Sequence, residues 1–249
     1  MKLTILGSGT CIPNPKRGSS GYVLETHSSK ILLDCGSGTT WKLEKMGINY
    51  LEIDHIFFSH LHPDHTGDLV SFLFATKYSH NRKREKPLFI WGGKGFNKFF
   101  NTLKKAYGSW IAPGHLNVDE IKGGSDTFDD FKILAVKTPH VESSLAYKIE
   151  SEGKSIVYSG DTDYSESLIE LSTNVDLLII ECALANESYK MRGHLTPNEV
   201  IKTINAAKPK KIVVTHLYTE CDEENVVETI RSNVDAQVVE AQDLLELII

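Results

Sequence analysis

The sequence predicts an α/β fold, on two observations. Short apolar segments typical of buried strands alternate with amphipathic segments typical of helices along most of the 249 residues. Several apolar segments are followed at once by His or Asp, as expected where the end of a strand presents a functional site. Such alternation favours sheets with helices packed outside them. Because no linker, low-complexity segment or repeat interrupts the chain, we expect one domain spanning residues 1–249.

The elements are predicted in chain order from local pattern. Strands are short apolar runs, and the first two helices are expected to end near Gly47 and Tyr78. The predicted strands are Lys2–Leu6, Tyr22–Thr26, Lys30–Asp34, Ile53–Phe58, Leu88–Trp91, Phe131–Val136, Leu145–Glu150, Ser155–Tyr158 and the terminal Asp243–Ile249. The predicted helices are Thr39–Met46, Thr66–Tyr78 and Lys94–Tyr107. The last third is expected to alternate strand and helix.

Composition favours a compact enzyme. The chain is 41% hydrophobic and 24% charged, which is ordinary globular usage. It contains no apolar run long enough to predict a membrane span, and Met1–Gly7 turns polar too early for a secretory signal. Four cysteines are scattered without a Cys-x-x-Cys pair, which is typical of reduced thiols. We therefore expect a cytoplasmic protein with no membrane partner.

Charge argues against a long polyanion as the main partner. The formal net charge is −6, so the overall field does not attract nucleic acid. One local exception is Lys77–Lys86, with five basic residues and one acidic residue. It either steers a phosphate-bearing substrate or forms a solvated connection between a helix and a strand.

The densest group of reactive side chains lies between Ser59 and Asp68, directly after the predicted strand Ile53–Phe58. Within it, four residues form the pattern His-x-His-x-Asp-His, namely His60, His62, Asp64 and His65. Imidazole and carboxylate donors at this spacing suit a pair of divalent transition metals. The segment therefore predicts part of a metal centre.

One loop cannot complete the coordination of two metal ions, so further ligands are expected at other strand ends. Three residues fit, because each directly follows an apolar strand: His140, Asp161 and His216. Each is weak evidence alone. With the first loop they form a set of seven candidate ligands that repeats one arrangement.

The order HxHxDH, then His, Asp and His, resembles the metallo-β-lactamase-fold hydrolases, and the likeness also includes Gly7–Thr10 and Leu33–Gly36. The resemblance implies a four-layer αβ/βα sandwich and two divalent metal ions, with zinc expected first and manganese or iron as alternatives. It implies that one ion is held by His60, His62 and His140, that the other is held by Asp64, His65 and His216, and that Asp161 bridges them. A homodimer is also expected from this likeness.

Within that superfamily the chain is most similar to the ribonuclease Z group (β-lactamase superfamily III), in a short form. Glu181 and His194 stand where that group carries a Glu and a His between the last two ligand positions. Only twenty residues separate His140 from Asp161, where many ribonucleases Z carry a long arm that grips transfer RNA. Pro13–Gly18 only approximates that group's Pro-x-Lys-x-Arg-Asn loop. Dedicated transfer-RNA processing is therefore disfavoured.

The expected function is a dinuclear metal-dependent hydrolase acting as a phosphodiesterase. Two divalent ions lower the pKa of a bridging water to about 7, so that a hydroxide is available as nucleophile. Asp64 is expected to orient that nucleophile as well as bind metal. His194 is the candidate acid for the leaving oxygen, with Glu181 raising its basicity. Alternatively, His194 merely precedes a helix capped by Thr196.

Other functions remain open from the sequence. Tyr164, three residues after Asp161, has the spacing of a tyrosine that assists carbonyl substrates in lactone-hydrolysing members of the fold. The alternative is a loop aromatic packed on the helix that starts near Ser165. The expected substrate is a small phosphodiester or ester, with RNA, including transfer-RNA 3′ processing, as an alternative. A metal-binding sensor or scaffold is the non-enzymatic alternative. Asp34 either supports the metal loop or caps the turn that follows it.

Overall fold

The structure is a computed structural model that describes residues 1–80 and 82–249. It contains two sheets of seven strands each. The strands are β1 Lys2–Gly7, β2 Gly21–Glu25, β3 Lys30–Leu33, β4 His55–Phe57, β5 Leu88–Gly92, β6 Leu116–Glu120, β7 Gly124–Thr127, β8 Lys132–Lys137, β9 Leu145–Ser151, β10 Lys154–Tyr158, β11 Leu177–Glu181, β12 Lys211–Thr215, β13 Gln237–Glu240 and β14 Glu246–Ile248. The α-helices are α1 Thr39–Lys45, α2 Pro63–Thr66, α3 Leu69–Tyr78, α4 Phe96–Tyr107, α5 Glu166–Leu171, α6 Pro197–Ala207, α7 Thr219–Glu223 and α8 Val226–Arg231.

Each sheet combines an antiparallel and a parallel part. The first has the order β14-β1-β2-β3-β4-β5-β6 and is parallel from β3 to β6. The second has the order β13-β12-β11-β10-β9-β8-β7 and is parallel from β10 to β13. Parallel neighbours end at the same edge of a sheet, so the loops after β4, β10, β11 and β12 lie where a site is expected.

The layers follow from where apolar side chains are buried. The inner faces of the two sheets share one core, which joins Leu3 and Phe57 of the first sheet to Ile133 and Ile179 of the second. A second core lies between the outer face of the second sheet and helices α5 to α8. A third lies between the outer face of the first sheet and α1, α3 and α4. This arrangement confirms the predicted α/β class and the four-layer αβ/βα sandwich.

The predicted helix Thr66–Tyr78 is wrong at its start. The chain instead forms α2 and then α3, which begins at Leu69. Backbone bonds to Cys35 explain the break, since the amide of Cys35 donates to the carbonyl of His65 and the amide of Asp68 donates to the carbonyl of Cys35. In a continuous helix the carbonyl of His65 would instead accept a hydrogen bond from the amide of Leu69.

Other predicted elements are present with shifted bounds. The terminal strand is shorter than expected, at Glu246–Ile248. Strands β6 and β7 at the sheet edges carry no strong pattern and were not predicted individually. Among the described residues, no helix combines the length and apolarity that crossing a membrane requires. In the basic segment Lys77–Lys86, Asn81 lies outside the described residues.

Candidate metal centre

The predicted ligands lie on loops at one edge of the two sheets. The first loop follows β4, with His60 fully buried and His62 directly before α2, whose first turn carries Asp64. His140 follows β8, Asp161 follows β10 and His216 follows β12. The structure therefore brings together all seven candidate ligands, although they span more than 150 residues of sequence.

Their donor atoms fall into two groups. His60, His62, His140 and Asp161 each place one donor atom within 4.8 Å of the others, and so do Asp64, His65 and His216. Asp161 lies between the groups. Its Oδ2 atom is 3.6 Å from His60 Nε2 and 3.8 Å from His140 Nε2, whereas its Oδ1 atom is 3.4 Å from both His65 Nε2 and His216 Nε2.

Several of these donor atoms are buried without a protein hydrogen-bond partner. They include His60 Nε2, His65 Nε2 and Asp161 Oδ1. Burying an unpaired polar atom costs free energy, so convergent unpaired donors need a ligand of opposite character. Imidazole nitrogens and carboxylate oxygens facing one point are the donor set of a divalent transition metal. The residues present therefore fit divalent metal binding.

A hydrogen-bond network beneath the loop orients His65. Asp34 Oδ2 lies 2.7 Å from His65 Nδ1 and accepts hydrogen bonds from the hydroxyls of Ser59 (2.8 Å) and Tyr158 (2.5 Å). Asp34 Oδ1 accepts a further bond from the Ser59 amide, at 2.7 Å. No donor of the turn after Asp34 bonds its carboxylate in the described chain, which favours the supporting role over turn capping. A carboxylate behind a ligating imidazole fixes its tautomer and orientation.

Backbone conformation at the site is also unusual. Asp34 and His216 are non-glycine residues in the left-handed region, with φ of 57° and 56°. Such conformations cost about 1–3 kcal/mol each and concentrate at functional sites. At both positions the chain turns directly after a strand, which directs the side chain toward the cluster.

A second network, which sequence reasoning missed, connects His140 to the loop before α6. His140 Nδ1 lies 2.8 Å from the carbonyl oxygen of Gly193, whose amide donates to Asp163 at 3.0 Å. Lys190 donates to the carboxylates of Asp163 and Glu199 and to the carbonyl of His194, each at 2.7 Å. No motif marks these residues, because Asp163 lies 27 residues from Lys190 and 30 residues from Gly193.

Glu181 and His194 meet as predicted. His194 Nδ1 is 3.0 Å from Glu181 Oε1, and both side chains are largely buried. Burial alone would lower the pKa of His194, but the bond to Glu181 outweighs it and raises the pKa to about 9. The His194 ring stacks on the His216 ring, with centroids 5.8 Å apart. The bond to Glu181 uses Nδ1, so the Nε2 atom of His194 remains available on the side of Asp161 and His216.

The helix entry proposed as the alternative role of this segment is present too. Thr196 forms a capping box with Glu199, and Pro197 occupies the first turn of α6. The two interpretations are compatible, because the cap fixes the backbone beside His194. Tyr164 is 37% exposed, and its hydroxyl has no hydrogen bond to any described residue. Its catalytic role stays a prediction.

Burial and neighbouring charges shift the pKa values of the clustered imidazoles and carboxylates. Burial lowers the pKa of His60 well below its usual range, and the charge of His65 adds to the effect. Burial also opposes charge on His65 and Asp161. The charge of Asp161 nevertheless raises the pKa of His65, and the charges of His216 and His65 lower the pKa of Asp161. Asp161 is therefore an anion that a cation would stabilise.

Comparison with known proteins agrees with this geometry. The family model described as anti-Pycsar protein Apyc1 matches residues 1–242. The probable metallo-hydrolase YhfI of Bacillus subtilis is 30% identical over 223 residues, which cover 87% of each chain. A ribonuclease Z of Methanothermobacter thermautotrophicus is 25% identical over 279 aligned residues, covering 91% of this chain and 90% of that protein.

Solved structures extend the comparison. The crystal structure of YhfI, titled a metallo-beta-lactamase fold protein, superposes with a TM-score of 0.85 at 25% identity and covers 99% of this chain and 98% of that one. Human tRNase Z, short form, gives a TM-score of 0.79 at 24% identity over 100% of this chain and 99% of that one, which shows the fold alone. The predicted resemblance to metallo-β-lactamase-fold proteins and to the ribonuclease Z group is confirmed.

Proposed function

This chain belongs to the family of the anti-Pycsar protein Apyc1, and from that premise we propose that it is a dinuclear phosphodiesterase acting on small phosphodiesters. Its relatives include a ribonuclease Z and a probable metallo-hydrolase, so the chain is a metal-dependent hydrolase of phosphodiester or ester bonds. The proposal adds the number of ions, the roles of the residues and the size of the substrate.

We assign His60, His62 and His140 to one ion, Asp64, His65 and His216 to the other, and Asp161 to both. The observation that carries this assignment is the position of Asp161, because each of its oxygens faces a different group of imidazoles.

Zinc is the first choice of metal, since histidine and carboxylate donors are its usual ligands. Manganese and iron accept the same donors. Bound at this site, two divalent ions would supply Lewis acidity and lower the pKa of water.

The chain's own residues would carry the proton transfers. Hydrolysis joins a water oxygen to phosphorus and breaks the bond to the leaving oxygen, which then needs a proton. We assign that proton to His194, and two contacts support the assignment: Glu181 holds its Nδ1 atom, and its ring lies over His216. Asp64 would orient the attacking water by accepting its hydrogen bond, in addition to binding metal.

Three features favour a small substrate over transfer RNA. The residues between His140 and Asp161 form the compact hairpin β9–β10, which leaves no room for an RNA-gripping arm there. In the Pro13–Gly18 loop Arg17 is only 6% exposed, and its guanidinium is paired with Asp222 and Glu240. It is therefore not free to bind phosphate. The net charge of −6 adds to the same argument.

The test compares substrate classes on zinc-loaded and manganese-loaded protein. We expect turnover of bis(p-nitrophenyl) phosphate to exceed that of a lactone panel and of a transfer-RNA precursor with a 3′ extension. Faster lactone hydrolysis would favour a lactone hydrolase in which Tyr164 assists the substrate carbonyl. Faster RNA cleavage would favour transfer-RNA processing. Protein that carries metal but turns over none of them would instead be a sensor or scaffold.

Three further points belong to the proposal. A single domain over residues 1–249 is supported by the core that both sheets share. A homodimer, expected from the family resemblance, is tested by light scattering of the purified protein. Metal identity and number are tested by elemental analysis, where about two ions per chain are expected and a reproducible value near one would contradict the bridging role of Asp161.

A further inference from the structure

The segment that leads to His194 is exposed along residues 187–192 and has buried residues on either side. At its start the side-chain amide of Asn186 donates to both carboxylate oxygens of Glu224, at 2.8 and 2.6 Å. At its end it continues into Gly193, which is buried. An exposed segment has little apolar contact to fix it, so its position depends on polar contacts at its ends.

Lys190 supplies the contacts at the end nearest His194. Its ammonium nitrogen lies 2.7 Å from each of three oxygens, namely Asp163 Oδ1, Glu199 Oε2 and the carbonyl oxygen of His194. An ammonium group has three donors, so all of them are used. The side chain is 30% exposed, and charge-assisted bonds of this kind are stronger than neutral ones. Lys190 therefore joins the segment to the loop after β10 and to the first turn of α6.

The two carboxylates that bind the ammonium also bind the backbone on both sides of His194. Asp163 accepts the amide of Gly193 at 3.0 Å, and Glu199 accepts the amide of Thr196 at 3.0 Å. The ammonium itself donates to the carbonyl of the residue between them. The backbone is thus held before, at and after His194 by one cation and its two carboxylate partners.

We propose that Lys190 is a positioning residue for His194, an inference that rests on the proposed function and deepens it. Lys190 fixes the backbone from which the imidazole extends, so that the Nε2 atom of His194 reaches the leaving oxygen. Its own three protons are bound by protein oxygens, so it transfers none to the substrate. Proton transfer needs a donor within about 2.6–3.2 Å of its acceptor, and a misplacement of about 1 Å can cost roughly 10²-fold in rate.

The test compares metal-loaded Lys190→Met and wild type on two diesters that differ in the leaving group alone, methyl phenyl phosphate and methyl p-nitrophenyl phosphate. Phenolate is the more basic leaving group, so its departure depends more on a proton from the acid. We expect kcat to fall about tenfold for the phenyl ester and less than about threefold for the p-nitrophenyl ester. KM should stay within about twofold for both, because Lys190 bonds only to protein oxygens.

Lys2→Met is the matched control. Lys2 also binds two carboxylates, Glu25 at 2.7 Å and Glu246 at 3.1 Å, and its side chain is 32% exposed. It lies at the start of β1, whose other end leads to Ser8 beside Leu217 and is about 16 Å away along the strand. Removing it breaks similar ion pairs and should leave kcat for both diesters unchanged.

A double-mutant cycle tests whether Lys190 acts through His194. In the His194→Ala background there is no acid to position, so Lys190→Met should add less than about twofold to the loss on the phenyl ester. A further loss of about tenfold in that background would show that Lys190 acts on another group, and would overturn the proposal.

Amide hydrogen exchange measured by mass spectrometry gives a readout that needs no turnover. Peptides that cover residues 187–196 should exchange at least about fivefold faster in Lys190→Met than in wild type. Lys2→Met should leave the exchange of these peptides unchanged.

The outcomes separate the two proposals. Equal losses of Lys190→Met on both diesters would overturn its positioning role and leave the phosphodiesterase in place. Absence of turnover of either diester by the wild type would instead overturn the phosphodiesterase. In that case faster exchange in Lys190→Met would still support Lys190 as the residue that fixes the His194 segment, and unchanged exchange would overturn that role as well.

Discussion

The Nδ1 atom of His140 lies 2.8 Å from the carbonyl oxygen of Gly193. This contact joins a candidate metal ligand to the residue directly before His194, the candidate acid. Gly193 is held from its other side by Asp163, which accepts its amide at 3.0 Å. The orientation of the His140 imidazole and the position of the loop that carries His194 are therefore coupled through Gly193.

Gly193→Ala should damage the metal centre. Gly193 has φ of 94°, and a Cβ atom there would lie 2.6 Å from His140 Nδ1, so the imidazole must move. Displacing such a supporting contact typically costs 10- to 100-fold in metal affinity or activity. We expect a metal affinity at least about tenfold lower, measured by competition with a chromogenic chelator.

Gly95→Ala is the matched control for that variant. Gly95 has nearly the same φ, 91°, but a Cβ atom there meets nothing within 4 Å. Both variants carry the same backbone strain, of about 1 kcal/mol. Equal metal affinities in the two variants would show that strain, and not the contact with His140, explains any loss.

Asp161→Ala should lose metal and activity together. Its two oxygens face both groups of imidazoles, so its removal takes a ligand from each ion at once. Elemental analysis should show less than half of the wild-type metal content. Asp176→Ala removes a carboxylate paired with Lys154 and Lys210 instead and should keep full occupancy. Full occupancy in Asp161→Ala would contradict the bridging assignment.

His194→Ala should keep its metals and slow the chemical step. Removing a general acid commonly costs 10²- to 10⁴-fold in rate. We expect kcat to fall by about that factor for a diester with an alkoxide leaving group, and by much less for a p-nitrophenyl ester, whose leaving group needs no proton. Empty metal sites in this variant would assign His194 to metal binding instead, and equal losses on both substrates would contradict its role as the acid.

Tyr158→Phe should weaken metal binding from a distance. Its hydroxyl donates to Asp34, which in turn orients His65, so its loss leaves the supporting carboxylate with one donor fewer. We expect about tenfold lower metal affinity and a loss of about 1 kcal/mol in stability. The control Tyr147→Phe removes a buried hydroxyl bound to the Phe58 carbonyl, and should cost stability alone. An unchanged metal affinity in Tyr158→Phe would show that the Tyr158 hydroxyl does not support metal binding through Asp34 and His65.

The sequence predicted which side chains converge at the cluster, because the signals that mark them are local. Each of His60, His140, Asp161 and His216 follows an apolar strand, and parallel strands necessarily end together. The contact between Glu181 and His194 was expected on a different ground, the resemblance to the ribonuclease Z group. Short stretches of sequence are therefore sufficient to identify these residues of the cluster.

The supporting layer was not predictable in the same way. Lys190 and Asp163 act through partners 27 and 30 residues away, and nothing in their neighbourhood marks them. The break between α2 and α3 depends on backbone bonds to Cys35, which no side-chain pattern encodes. Strand β7 is exposed along its whole length, so it lacks the apolar alternation on which strand prediction relies.

Asp130 connects the two sheets and gives a pH prediction outside the metal centre. Burial alone would raise its pKa, but hydrogen bonds from Ser29, Thr26 and Ser28 in the turn between β2 and β3 lower it to about 2. An unfolded Asp titrates near 3.9, so the folded protein binds the proton less readily. Its stabilisation is therefore complete above about pH 4 and is lost as the pH falls through 2.

Asp130→Asn should consequently lower the free energy of unfolding at pH 7 by about 1 kcal/mol, a value already reduced for solvent screening of a partly exposed group. The difference from wild type should persist down to about pH 4 and shrink toward pH 2, as measured by urea unfolding of metal-free protein. Asp126→Asn is the control, because Asp126 lies on the exposed strand β7 and makes no side-chain hydrogen bond in the described chain. A difference that stays constant to pH 2 would show that Asp130 stabilises the contact between the sheets by packing rather than through its charge.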